Sequence, residues 1–133
     1  MLDPRREVAR CYRPAVPVEI RHIRDEELLD YIDALTIGFL ERPDIAKVVD
    51  EVRPLWDLQR TWAAVDGSRI CATFRSWDTE LTVPGLARLP ASAVSAVTVL
   101  PTHRRRGILR RMIATEHAAM RERGESIGLL YAS

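Results

Sequence analysis

Apolar residues recur along this chain in two periods, and the switches between them mark out eight elements. Val18 to Arg24 alternates closely enough for a first strand. Asp25 then caps a helix, with Glu26 and Glu27 in the first turn that favours acids. Leu28, Ile32, Leu35 and Phe39 follow at helical spacing and are expected to face the core, while Gly38 weakens the helix end. Pro43-Asp44 restarts a short helix whose stripe is Ile45, Val48, Val49 and Val52, and Pro54 stops it. Leu55 to Leu58 is a connector. Thr61 to Val65, Asp66-Gly67 and Arg69 to Trp77 form a hairpin signal. Ile70, Ala72 and Phe74 are expected on one face of its second strand, and Cys71, Thr73, Arg75 and Trp77 on the other. Leu81 to Val83 extends that strand beyond a kink, and Pro84-Gly85 turns the chain.

The stretch that follows organises the rest. Ser92 to Leu100 is β-branched and apolar enough for an interior strand. Pro101 has no N–H for a ladder, so pairing ends there. Thr102 to Arg106 turns, and Gly107 permits an unusual φ or close approach of the backbone to a ligand. From Ile108 the pattern is helical, with Leu109, Met112, Ile113, Ala119 and Met120 near one face, up to about Gly124. Ile127 to Tyr131 is a last buried strand. First-turn amides of a helix lack partners and its dipole favours an anion, so this strand, loop and helix make a phosphate cradle. The element order β-α-α-β-β-β-α-β predicts an α+β fold, a mixed β-sheet flanked by helices.

Composition narrows the function. The chain has 133 residues, enough for one core, and 47% hydrophobic residues mark it as globular. With 20 Lys plus Arg against 19 Asp plus Glu, and no aromatics among the arginines, a nucleic-acid partner is not expected. No apolar run approaches the ~20 residues that span a bilayer, so no membrane partner is expected either. Cys11 and Cys71 stand apart, with no ligand cluster formed with His22, His103 or His117, which points to a reducing cytoplasm and no metal. Nine acids lie between Asp25 and Glu51 against Arg42 and Lys47. They read as a solvated helix face or as an acidic lip that attracts cationic amines.

The residues also carry a resemblance. Arg104-x-x-Gly107-x-Leu109, directly after the Val-Thr-Val strand, resembles the acyl-CoA motif of the GNAT N-acetyltransferases, commonly (Q/R)-x-x-G-x-(G/A). The string Val97 to Arg111, with Leu81-Thr82-Val83-Pro84-Gly85 upstream, resembles the Eis (enhanced intracellular survival) branch, which tolerates a bulky residue at the position of Leu109. The resemblance runs from about Val18 to Ser133. It implies a loose leader over 1–17 and one GNAT-like domain over 18–133, truncated after the fifth strand. It further implies acetyl transfer from acetyl-CoA to an amine, such as an aminoglycoside or other polycationic amine. Val97 and Val99 match positions whose backbone pairs with the pantetheine arm. Arg104, Arg105, Arg106, Gly107, Ile108, Leu109 and Arg110 match the pyrophosphate loop, and Ser133 a position near the cofactor.

The catalytic residues stay unassigned. The branch's tyrosine acid would fall several residues beyond Ser133, and Tyr131, the nearest hydroxyl, reads as structural. Glu116 reads as an ordinary helix-surface acid. His103 either neutralises phosphate or is a turn residue without a role. The chain alone is therefore expected to be inactive. A non-catalytic CoA-binding or regulatory module, and a fragment that binds nothing by itself, are the competing readings. A full-length form leaves room for a homo-oligomer.

Overall fold

The computed structural model describes residues 17–130, so the leader, but for Pro17, lies outside the described residues, as do Tyr131 and Ser133. The chain forms β1 (Glu19–His22), α1 (Leu28–Phe39), α2 (Ile45–Val52), β2 (Thr61–Asp66), β3 (Arg69–Thr82), β4 (Arg88–Val99), α3 (Ile108–Arg123) and β5 (Ile127–Leu130). The five strands make one sheet in sequential order. β1 to β4 are antiparallel, whereas β5 returns parallel to β4 after α3. The fold is the expected α+β mixed sheet. α1 and α2 cover one face, packing Leu28, Tyr31, Ile32 and Val49 with Ala63, Val65 and Ile70. α3 covers the other, packing Ile108 and Met112 with Trp62, Ala64, Ala72 and Phe74.

Two local expectations at the first helix change. Asp25 is not a helix cap, because Asp25–Glu27 forms a 3-10 turn before α1. The capping group is Glu27, which accepts from the Arg24 backbone N–H at 2.9 Å and from both terminal nitrogens of Arg21 at 2.8 and 2.6 Å. The Arg21 hydrogen bond holds the Glu27 carboxyl down at about 2. At the other end of α1, Phe39 is 40% exposed instead of facing the core. Gly38 does more than loosen that end, since a Cβ there would lie 2.5 Å from Thr98 Cβ. Its bare backbone lets α1 lie directly on β4.

The sheet contains two extra residues that no alternation reveals. Ala64 pairs with Ala72 and Val65 with Ile70, so Cys71 is a bulge. That insertion sends Ile70 to the α1 face, away from Ala72 and Phe74, and puts Cys71 in the α3-side cluster. No kink interrupts β3, which runs unbroken through Thr82. The second bulge is in β4. Thr73 faces Thr98 and Arg75 faces Ser95, so Phe74 alone opposes both Ala96 and Val97. Ala96 takes a left-handed φ of 55°. The Thr73 hydroxyl donates to the Ala96 carbonyl at 2.7 Å and lies 2.8 Å from the Thr98 hydroxyl. The Phe74 N–H donates to the Tyr31 hydroxyl at 3.1 Å. Burial pushes that phenol above its ordinary value, so it stays protonated.

α3 is turned by about one residue from the expected face. Its buried stripe is Ile108, Met112, Glu116 and Met120, while Leu109 and Ile113 are each 38% exposed. Glu116 decides this. It is no surface acid but a buried carboxylate that accepts from Trp62 Nε1 at 2.8 Å, Ser92 Oγ at 2.9 Å and Arg123 at 2.7 Å. Arg123 also donates to Glu125 at 2.9 Å, and Arg60 pairs with the same carboxylate. Burial would raise the Glu125 carboxyl; the two guanidinium groups outweigh it and hold it below its ordinary range.

Two outcomes test this account. Thr73→Val keeps the shape but strands the Ala96 carbonyl, so it should cost about 1–3 kcal/mol, read as a lower urea midpoint at unchanged slope. Glu27, lowered from 4.5 to about 2, contributes stability that is complete above pH ~4.5 and is lost as pH falls toward ~2. Acid titration of Glu27→Gln, followed by circular dichroism, should show a shallower loss over that window.

Candidate functional site

The described strands leave part of one edge of β4 without a partner. β5 pairs with β4 only between Ala91 and Val94, opposite Ile127 to Leu130. Beyond Val94, among the described residues, no strand covers β4 on that side. The Leu100 N–H donates back to Cys71 on β3 at 2.9 Å. Successive residues of a strand address opposite neighbours, so the N–H and C=O of Val99 face the open side, with Val97 two residues earlier in step. The Arg104 Nε donates to the Val99 carbonyl at 3.2 Å, which joins the loop to this edge.

β4 stops at Pro101 as expected, and Pro101–His103 forms a 3-10 turn. Arg105 and Gly107 both have positive φ, 61° and 73°, with Arg106 between them. Alternation of this kind turns successive N–H groups into one concavity that suits an anion. Gly107 is the N-cap of α3 and offers no capping side chain. The first-turn amides from Ile108 onward are therefore free for a ligand. A Cβ at Gly107 would meet nothing within 4 Å, so glycine is favoured there by the left-handed φ and not by packing.

Edge and loop together wall a cleft of about 460 Å³. Val97, Val99, Arg104 and Arg105 line it, as do Gly107, Ile108, Leu109 and Arg110, and Gly38 and Phe39 of α1 close it from above. Of the residues anticipated from sequence, Arg106 is not among the lining, and Ser133 lies outside the described residues. Arg106 turns instead to Asp66, at 3.6 Å. His103, 9% exposed, points the same way, with Nε2 donating to Asp66 Oδ2 at 3.0 Å. Its Nδ1 lies 2.7 Å from the Thr102 hydroxyl. Asp66, at the tip of the β2–β3 hairpin, thus clips the loop from below. Arg104, Arg105 and Arg110 have no carboxylate partner among the described residues and keep their charge for the cleft.

This strand, left-handed loop and helix start match a known family model over residues 19–133, described as an acetyltransferase (GNAT) domain. The chain belongs to the GNAT acetyltransferase family. An uncharacterized N-acetyltransferase of Streptomyces avermitilis is 45% identical over 118 residues, covering 87% of this chain and 28% of that protein. The N-acetyltransferase Eis of Mycobacterium tuberculosis is 43% identical over 67 residues, covering 50% of this chain and 17% of Eis. The crystal structure of Eis1 from Mycobacterium abscessus superposes with a TM-score of 0.75 at 32% identity, covering 86% of this chain and 28% of that one. The resemblance to Eis-type GNAT proteins therefore holds in sequence and in fold, and the chain spans under a third of the length of these relatives.

Several residues of this GNAT site escape a sequence reading. Asp66 looked like ordinary hairpin chemistry, and Gly38, Thr73 and Tyr31 shape the edge from other elements. Only the Asp-Gly pair carried a signal, and it pointed to a turn. If Asp66 holds the loop, Asp66→Ala should speed trypsin cleavage at Arg104 to Arg106 severalfold while the thermal midpoint moves little. Unchanged cleavage would show that the loop keeps its shape without the clip.

Proposed function

We propose that the chain carries the acetyl-CoA-binding half of an N-acetyltransferase that acylates a primary amine. The observation that supports this best is the meeting, in one cleft, of an open strand edge and a cationic left-handed loop at a helix N-terminus. The amides of Gly107 to Arg110 and the charges of Arg104, Arg105 and Arg110 would hold the pyrophosphate. Val97 and Val99 would pair with the pantetheine arm as an added strand. The thioester then comes to rest beside the bulge, where a neutral amine attacks its carbonyl and the thiol departs. A cytoplasmic setting, where acetyl-CoA is made and used, goes with this reading.

The acceptor side supports a cationic amine. A hollow of about 420 Å³ lies at the end of α1, with Asp33 and Glu41 among its walls. It adjoins the cleft through the same helix end, since Phe39 and Gly38 wall one and Ile37 and Leu40 the other. Two exposed carboxylates, offset in part by Arg42 in the same wall, would favour a cationic amine such as an aminoglycoside.

Calorimetry tests the cofactor reading directly. CoA should bind with strong salt dependence, and pantetheine, which lacks the phosphates, much more weakly; equal affinities would remove the cradle. Gly107→Val forces a β-branched residue into left-handed backbone, a strain of about 1–3 kcal/mol. It should weaken CoA binding about tenfold or more while the far-ultraviolet spectrum stays nearly unchanged.

A further inference from the structure

One half-buried arginine has no acid to balance it. Arg75 lies on β3 opposite Ser95, one residue before the left-handed Ala96. Its guanidinium carbon sits 4.6 Å from the ring centre of Trp56 and 5.3 Å from that of Trp77. Trp56 packs against the cluster beneath α1 and α2 and meets the Tyr31 ring edge-on at 6.0 Å. Trp77 is 39% exposed, so the stack starts in the core and ends at the surface. Arg21, Arg60 and Arg123, the other half-buried arginines among the described residues, each meet a carboxylate. Arg75 meets none at ion-pair distance among the described residues, and its buried Nε has no hydrogen-bond partner. The one carboxylate whose charge reaches it, Asp57, caps the turn at Leu58–Arg60 by accepting from the Gln59 N–H at 2.8 Å.

A guanidinium laid on aromatic rings covers its faces and keeps its N–H donors free in the plane. A buried donor without an acceptor is costly, and a planar carboxylate answers the fork with two parallel bonds. Arg75 shares its face of the sheet with the acidic hollow, because α1 and α2 cover that face and Trp56 belongs to their cluster. β3 lies about 10 Å, two strand spacings, from an arm that pairs along the far edge of β4. We propose that Arg75, with Trp56 and Trp77 against it, anchors a carboxylate of the acceptor, so that the preferred acceptor is an amine joined to a carboxylate by a chain of several atoms. An α-amino group is too close to its own carboxylate to bridge that distance, whereas an ω-amino acid spans from the thioester to Arg75. The proposal rests on the acyl-transfer reading above and narrows its amine. The acidic hollow draws the cationic end, and Arg75 selects molecules with an anion at the other.

The test titrates the CoA-loaded full chain with 6-aminohexanoate and with pentylamine, which is the same molecule without its carboxylate. Calorimetry gives the affinities, and tryptophan fluorescence reports on the stack. The amino acid should bind about tenfold or more tightly than pentylamine, as expected for a charge-assisted pair to a partly desolvated guanidinium. Arg75→Gln should erase that difference. Arg75→Lys, which keeps the charge but not the fork, should retain only part of it. Equal or weaker binding of the amino acid, with CoA bound, would overturn the role of Arg75 alone. So would a preference that survives Arg75→Gln or, where that variant fails to fold, one that is undiminished in Arg75→Lys. A wild-type chain that does not bind CoA would overturn the cofactor reading and this proposal with it.

Discussion

The structure depends on one extra residue in β4. A regular strand would set one residue opposite each residue of β3. The left-handed Ala96 breaks that regularity at a cost of about 1–3 kcal/mol for a non-glycine residue. Three contacts over-determine it: the Thr73 hydroxyl on the Ala96 carbonyl, the Tyr31 hydroxyl on the Phe74 N–H, and Gly38 of α1 against Thr98. Each takes over a polar group or a volume that regular pairing would have handled. Val97 to Val99, directly after this distortion, line the cleft.

Strain is distributed around the cleft. Leu40 ends α1 with a φ of 60° beside the hollow, Ala96 sits in β4, and Arg105 lies in the loop before α3 with a φ of 61°. Strained backbone persists only where its surroundings hold it. Asp66 supplies that hold at the loop. Its position also sorts the arginines: Arg106 and His103 bind it and shape the loop, while Arg104, Arg105 and Arg110 keep their charge for an anion. An unpaired carboxylate beside this cationic loop would weaken its pull on an anion; paired with Arg106 and His103, Asp66 becomes part of the frame.

Across the sheet, the Glu116, Arg123, Glu125 and Arg60 cluster fixes α3. Removing one member of such a buried ionic group costs about 3–5 kcal/mol, because its partners are left charged and dry. The helix cannot rotate without breaking the Glu116 bonds to Trp62 and Ser92. That rotation places Leu109 in the wall of the cleft, turns Ile113 to an apolar groove between α3 and the sheet, and sends Ile108 and Met112 into the core. A polar network thus sets which hydrophobic residues are available to a ligand.

The sequence by itself determined what depends on short range. The helices over Leu28–Phe39, Ile45–Val52 and Ile108–Arg123, the hairpin at Asp66-Gly67 and the strand that stops at Pro101 all follow from periodicity, proline and glycine. The course of the loop into α3 follows for the same reason, since the stop at Pro101 and the left-handed Gly107 at the helix start are local features. What tertiary structure alone decided involves partners far apart in the chain. The bulges at Cys71 and Ala96 are one-residue insertions that leave no trace in an apolar run, and each reverses the facing of its neighbours. Glu116 reads as a surface acid because its helix looks amphipathic one residue away, and donors from other parts of the chain, among them Trp62, 54 positions earlier, and Ser92, make its burial tolerable. Asp66 meets His103 across 37 residues. Such contacts are set by how the sheet twists and where its register slips, and no local pattern encodes either.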